Sequence, residues 1–492
     1  MRAAVTLEAS LGDWSVKKAL LSATTWQIKS IDGYGTEFTF GTCTTPAIST
    51  RTLPGAVVGD KYTAGLAVVG NRAGAWKISA GTLPSGLRLS GRLISGTPTA
   101  AGRHSFKVTF TDTHGRTASM ALTIVVAGQL SWSAVPAELP GDWPADANTG
   151  PDGVSCPTAD FCAAVGTDGG PNNAIWFRKD GRWTTGEKIP VPADAAAAPG
   201  GTMVWVDLPA VSCASASLCV VVGTYYSETS GVDQVPLVMT WANGVWKQGS
   251  LLYNGEGDSD FSGVSCPTTS YCVAVGTDVN NDNSTDQGLV ATWTGGEWAV
   301  GDAPVSGMVT LDNVSCPTAS SCTAIGAVYD ISGAETDVLL LTSSGTEWSG
   351  HDVALPSSGS APSKVACPTT SYCVAVGWLN STSVLTVVNG QPKYQTVPDA
   401  PLLNAVSCSS ASSCVAVGSH NNTANAHDGL FLTLANGKWT VSAAPGPPGA
   451  LAVGEVVSVS CAPAAPCAAT GSYESQTSGE DAGMLLSSAA AA

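Results

Sequence analysis

"VSCPTTSYCVAVGTD", residues 264–278, sets two cysteines six positions apart around a polar turn and continues as a short apolar strand ending at glycine. Nearly the same words recur as "VSCPTADFCAAVGTD" from Val154, "VSCASASLCVVVGT" from Val211 and "VSCPTASSCTAIGA" from Val314. They return as "VACPTTSYCVAVGW" from Val365, "VSCSSASSCVAVGS" from Val406 and "VSCAPAAPCAATGS" from Val459. Seven copies hold fourteen of the fifteen cysteines: Cys156 with Cys162, Cys213 with Cys219, Cys266 with Cys272, Cys316 with Cys322, Cys367 with Cys373, Cys408 with Cys414 and Cys461 with Cys467. Cys43 stands alone. Structural zinc takes four Cys or His ligands. Each copy offers two, and His351, His420 and His427 follow no repeat. A disulfide across each hairpin is therefore expected, worth about 2 kcal/mol per bridge on the chain-entropy model. Seven such bridges call for an oxidising compartment, hence a secreted or cell-surface protein.

First cysteines lie 57, 53, 50, 51, 41 and 53 residues apart. A period of that size, filled with short Val/Thr/Ala-rich strands, is that of a propeller with one four-stranded blade per repeat. From Val264 one unit reads as inner strand "VSC", second strand "YCVAVGTD", third strand "GLVATWT", a glycine turn, and outer strand "EWAVGDAP". The seventh repeat stops after its third strand. "GQLSWSAVPAELPGDW", residues 128–143, reads like a displaced outer strand that would complete it. The expected architecture is all-β: a seven-bladed propeller over 128–492, closed by residues 128–143, which removes an exposed edge. Trp183, Trp246, Trp298, Trp348 and Trp439 follow the third turn and are expected to pack between blades.

The turns "TGGEW", "SSGTEW" and "KDGRW" resemble worn forms of the Asp-box of sialidase-like propellers. The pattern SC-x5-C-x-A-V-G in every blade is similar to a family of secreted actinobacterial repeat proteins, which implies an exported propeller. Residues 46–127 differ, alternating short strands with Gly/Pro turns as a small β-sandwich does. They resemble the bacterial Ig-like, cadherin-like repeat through "LPSGL" (83–87), "ISGTPTAAG" (94–102) and "VTFTDTHGRTAS" (108–119). The resemblance implies an extracellular spacer or adhesion module, some relatives of which bind calcium. Residues 1–45 are unassigned. They carry no apolar core with a small-residue cleavage site, so the expectation is that the true start lies upstream or that residues 1–45 are the remnant of another segment. No run approaches the length of a membrane span.

A net charge of −17 with 12% charged residues argues against nucleic acid as partner. Beyond Lys188 the basic residues, histidine aside, are Lys247, Lys364, Lys393 and Lys438. Strand order puts the cysteine hairpins and the glycine turns on one propeller face. The long, varied loops lie on the other, where binding evolves most readily. There Trp205, Tyr225, Tyr226 and Trp378 could stack on a sugar or peptide. Asp278, Asn280, Asp282, Ser284 and Asp286 alternate oxygen donors as calcium loops do, although the central glycine and terminal Glu are missing. Catalytic residues are not expected. A sialidase needs an arginine cluster, and the propeller has only Arg178 and Arg182. The expected function is non-enzymatic binding or adhesion by a monomer that needs no cofactor, with a polysaccharide, cell-wall or protein ligand. The alternatives are a carbohydrate-active enzyme, whose acid pair would meet near the channel, and a purely structural surface protein.

Overall fold

A computed structural model of the 492-residue chain describes residues 26–28 and 38–40 and most of 45–490, in β-strands, turns and loops. Trp378, Asn280, Asp282 and Ser284 lie outside the described residues, as do the intervening loop segments around them. The chain forms two compact units that part at Val126 and Ala127. Among the described residues no helix is long and apolar enough to cross a membrane.

The first unit is an Ig-like sandwich. One sheet carries Ala56–Val57, Thr117–Ala127, Gly102–Asp112 and Gly74–Gly81 in that spatial order; the other carries Tyr62–Gly65, Leu93–Gly96 and Leu87–Ser90. Alternation along the long strands sends Phe106, Val108, Phe110, Leu122, Ile124 and Val126 inward. Trp76 meets Phe110 at 5.1 Å between ring centroids.

The second unit is a propeller. Among the described residues it has seven antiparallel sheets, counted here from the first cysteine pair to the last. The third shows the pattern: Asp258–Thr268, Tyr271–Val279, Gln287–Trp293 and Trp298–Asp302 pair in sequence, and Leu251–Leu252 adds a short parallel edge. In the seventh, Ala450–Cys461, Cys467–Ser475 and Asp481–Ala490 are followed spatially by Leu130–Pro136, whose Leu130 sits opposite Ala490. Trp132 on that strand stacks on Phe431 at 4.0 Å.

Apolar clusters lie between successive sheets. Phe177 and Trp241 join the first and second, and Phe261 and Trp298 help join the second and third. Val154, Ala164 and Trp176 pack with Ala468 and Leu485, so the seventh sheet abuts the first and the ring shuts on itself. Trp298 and Trp439 are buried in these layers, as their recurrence after the third turn implies.

The cysteines pair within each hairpin, as their spacing leads one to expect. Cys156 is bonded to Cys162, Cys213 to Cys219, Cys266 to Cys272 and Cys316 to Cys322. Cys367 is bonded to Cys373, Cys408 to Cys414 and Cys461 to Cys467. Their Cα–Cα separations are 3.9–4.1 Å, because the turn brings the two strands face to face. Cys213 lies directly opposite Cys219 in the ladder, and Cys408 opposite Cys414. In every pair but the fifth, whose two cysteines are equally buried, the second cysteine is the more deeply placed: Cys162, Cys219, Cys272, Cys322 and Cys414 are all buried between sheets. Cys373 is buried likewise, between the fourth and fifth sheets.

Beside the bridges runs a hydrogen-bonded belt. The serine of each "VSC" accepts from the backbone N–H of the next repeat's first cysteine: Ser155 from Cys213, Ser212 from Cys266, Ser265 from Cys316, Ser315 from Cys367 and Ser407 from Cys461, all at 2.9–3.0 Å. Ser460 accepts from Cys156 at 2.9 Å and carries the belt across the closure. One position cannot take part. The fifth repeat reads "VAC", and Ala366 offers Cys408 no side-chain oxygen.

Candidate binding face of the propeller

Each repeat places a charged or amide side chain three to six residues before its first cysteine, on the inner strand or, for Asp312, immediately ahead of it. In ring order these are Asp152, Asp207, Asp260, Asp312, Lys364, Asn404 and Glu455. They sit toward the starts of the inner strands, away from the disulfides: Asp207 lies opposite Thr224 and Asp260 opposite Thr277, near the ends of second strands that feed the variable loops. The inner strands are irregular at this level. Register shifts fall between Pro151 and Gly153, Asp207 and Ala210, Phe261 and Gly263, Pro362 and Lys364, and Leu403 and Ala405. A bulge of this kind re-aims side chains. The glycine that ends the second strand's apolar run makes room for it: a Cβ on Gly223 would overlap the Asp207 carbonyl, and one on Gly276 the Asp260 carbonyl.

These groups are crowded by protein yet reached by solvent. Asp152 is exposed and the others are partly so, as suits the wall of a narrow channel. Burial pushes the Asp152 carboxyl up to about 7; the Thr167 N–H, 3.4 Å away, opposes this, while the charges of Asp207 and Glu455 add to it. Asp260 rises to about 6 by burial, held back by the Thr277 N–H at 3.2 Å and pushed on by Asp207. Asp312 also reaches about 6, chiefly by burial; Lys364 lowers it, and Asp260 and Glu335 raise it. Burial raises Asp207 too. Lys364 is depressed by burial, with Asp312 working the other way. Asn404 donates to Glu455 at 3.2 Å and to the Val456 carbonyl at 3.0 Å. The channel mouth thus gathers negative charge that a cationic or proton-donating group would relieve.

Of the aromatic residues expected on this face, Trp205 and Tyr226 meet edge to face at 5.1 Å, both half-buried, and Gln234 donates to the Tyr226 hydroxyl at 3.0 Å. Tyr225 is not a surface platform. Its ring is buried between the first and second sheets because strand alternation turns it opposite to Tyr226; its hydroxyl lies 3.3 Å from Asp194, and the residue lines a cleft of about 230 Å³. A larger cleft of about 400 Å³, with His420, Asp428 and Ser442 on its wall, borders the sixth and seventh sheets.

The expected calcium loop is described only at its ends. Asp278 accepts from the Ser259 hydroxyl at 2.9 Å, and the Asp286 carbonyl accepts from the Val309 N–H at 2.9 Å, so both ends are tied to neighbouring strands. Among the described residues no group of three or more His, Cys, Asp or Glu is arranged to hold a metal.

No curated protein matches the chain. Among solved structures, YCF48 bound to a peptide aligns at 11% identity over 72% of this chain and 94% of its own, TM-score 0.44. The six-bladed fucose lectin of Aleuria aurantia aligns at 12% over 71% and 95%, TM-score 0.33. An α-L-arabinofuranosidase of Fusarium graminearum aligns at 11% over 64% and 97%, TM-score 0.38. Residues 41–127 match the family described as "Putative Ig domain", in keeping with the sandwich seen there.

Proposed function

We propose that the chain is an exported, non-enzymatic binding protein whose propeller presents its loop face, centred on the channel mouth, to a polysaccharide or protein ligand. One observation carries this reading. At the hairpin end the sheets repeat the same cysteines and, with one exception, the same serine, whereas at the mouth they contribute seven groups of mixed charge and length. A scaffold needs the first kind of end; recognition uses the second. Seven disulfides fit folding in an oxidising compartment. The test is a glycan and peptide array probed with the full chain and with an Asp207→Asn/Asp260→Asn variant. The expected result is one ligand class bound by the native chain and weakened at least tenfold in the variant. No binding on any array sinks the reading in favour of a purely structural protein.

One feature favours a second reading. A carboxyl with its pKa at about 7, beside Asp207 and Glu455, is what a glycoside hydrolase uses as general acid. Turnover of chromogenic glycosides that vanishes in Asp152→Asn would replace binding with hydrolysis.

A further inference from the structure

The chain's charge is divided between its units. Residues 45–127 hold nine of the 21 Lys and Arg but two of the 38 Asp and Glu, a net of +7; residues 128–492 hold eight against 32, a net of −24. Of the two carboxylates in the Ig-like unit, Asp112 is already engaged. It takes the Arg116 guanidinium at 2.8 Å and the backbone N–H groups of His114 and Arg116.

The outer face of the four-stranded sheet shows what this excess is built upon. Lys107 and Arg103 lie on one strand, both exposed, and Lys77 is exposed on the next strand opposite Thr109. Strand spacing puts the Lys77 and Lys107 Cα atoms about 8 Å apart and those of Arg103 and Lys107 about 13 Å apart. Around them the face mixes hydroxyls with small apolar side chains, Ala121 lying opposite Lys107 and the exposed Val125 opposite Arg103. Thr109 bonds Ser79 at 2.8 Å and Ser119 at 2.7 Å, and Ser105 bonds Thr123 at 3.0 Å. These four strands carry no carboxylate other than Asp112, and none of the three cations has a carboxylate partner among the described residues. Solubility alone would be served by mixed signs, particularly on a chain that is acidic elsewhere. A one-signed face with three exposed cations about 8 to 13 Å apart matches an extended polymer bearing anionic groups at short intervals.

We infer that this sheet face of the Ig-like unit is a docking surface for a linear polyanion, such as a sulfated or phosphate-bearing polysaccharide. It would hold the chain to an anionic matrix through the basic unit, while the acidic propeller is repelled from the same matrix. The inference does not depend on what the loop face recognises.

The probe is dextran sulfate, with neutral dextran as control, and the full chain titrated by biolayer interferometry from 50 to 300 mM NaCl. Binding to dextran sulfate alone is expected, with affinity falling linearly in log salt as counterions are released. A Lys77→Gln/Arg103→Gln/Lys107→Gln variant should lose at least tenfold at 50 mM NaCl and shallow the salt slope by about 2. Arg51→Gln/Arg88→Gln/Arg92→Gln removes equal charge from elsewhere on the unit and should stay within about twofold. Unchanged melting temperatures confirm that both variants fold. Equal loss in the two variants, or none in the first, overturns the docking face. So does salt-sensitive self-association without polymer binding, which would make a second copy's propeller the partner.

Discussion

The two ends of the propeller answer opposite demands. At the hairpin end, seven repeats place the same cysteine pair, with a serine at six of seven positions, so that one blade's geometry fixes the next. At the channel mouth the same repeats carry Asp152, Asp207, Asp260, Asp312, Lys364, Asn404 and Glu455, a set no repeat rule generates. Like charges accumulate there against their own repulsion, tolerated because the rest of each blade is bonded and packed. Constancy marks what supports the fold, and departure marks what is left free to vary.

The largest effect that tests this contrast is reduction. Opening all seven bridges should cost on the order of 10 kcal/mol on the chain-entropy model, and removing one pair by Cys266→Ala with Cys272→Ala about 2 kcal/mol. Thermal melts with and without reductant measure both. A chain that melts unchanged in reductant would erase the distinction between the ends.

Titration comes next. Asp152, Asp260 and Asp312 have folded pKa values above the 3.8 of the open chain. The folded state therefore holds their protons more tightly, and the stability they lend is complete below about pH 4 and lost as pH rises through 6 to 7. One pKa unit is worth about 1.4 kcal/mol. Channel water screens most of that, so we expect a total loss of about 1–3 kcal/mol between pH 4 and pH 8. Asp152→Asn/Asp260→Asn should flatten denaturant midpoints over this window. The same slope in the variant would show that the mouth is not the source.

The smallest effect concerns the belt. Ser212→Ala should cost about 1 kcal/mol by leaving the Cys266 N–H without its acceptor, and Ala366→Ser should restore up to about that amount at the interrupted position. Chemical denaturation resolves differences of this size. Equal and negligible changes in both would mean that the serines are spectators.

These differences also explain what the sequence disclosed. The cysteine period, the alternation in "YCVAVGTD" and the displaced strand before Trp143 rest on local spacing, which a linear text preserves. The serine of "VSC" looked like any strand residue, because its partner lies one blade away. The mouth was hidden for another reason. Bulges of varying length put its members three, four or six residues before the cysteine, so a search at fixed offset passes over them. The signal that could have found them is a charged or amide side chain recurring three to six residues before the first cysteine of every repeat. Tyr225 and Tyr226 illustrate the remaining difficulty: adjacent residues on one strand face opposite ways, and only the register says which is buried.

The pairing of Leu130–Pro136 with Asp481–Ala490 has a consequence for the order of synthesis. The strand that completes the seventh sheet is made before any of the cysteine hairpins, and its neighbour only after the last of them. A nascent chain therefore waits through some 350 residues with Trp132 lacking its stacking partner Phe431 for most of that interval and one strand unpaired throughout. Loops of this length close slowly. Until the final strand arrives, the early segment is a bare edge that another copy could capture, and speed of elongation becomes a determinant of yield.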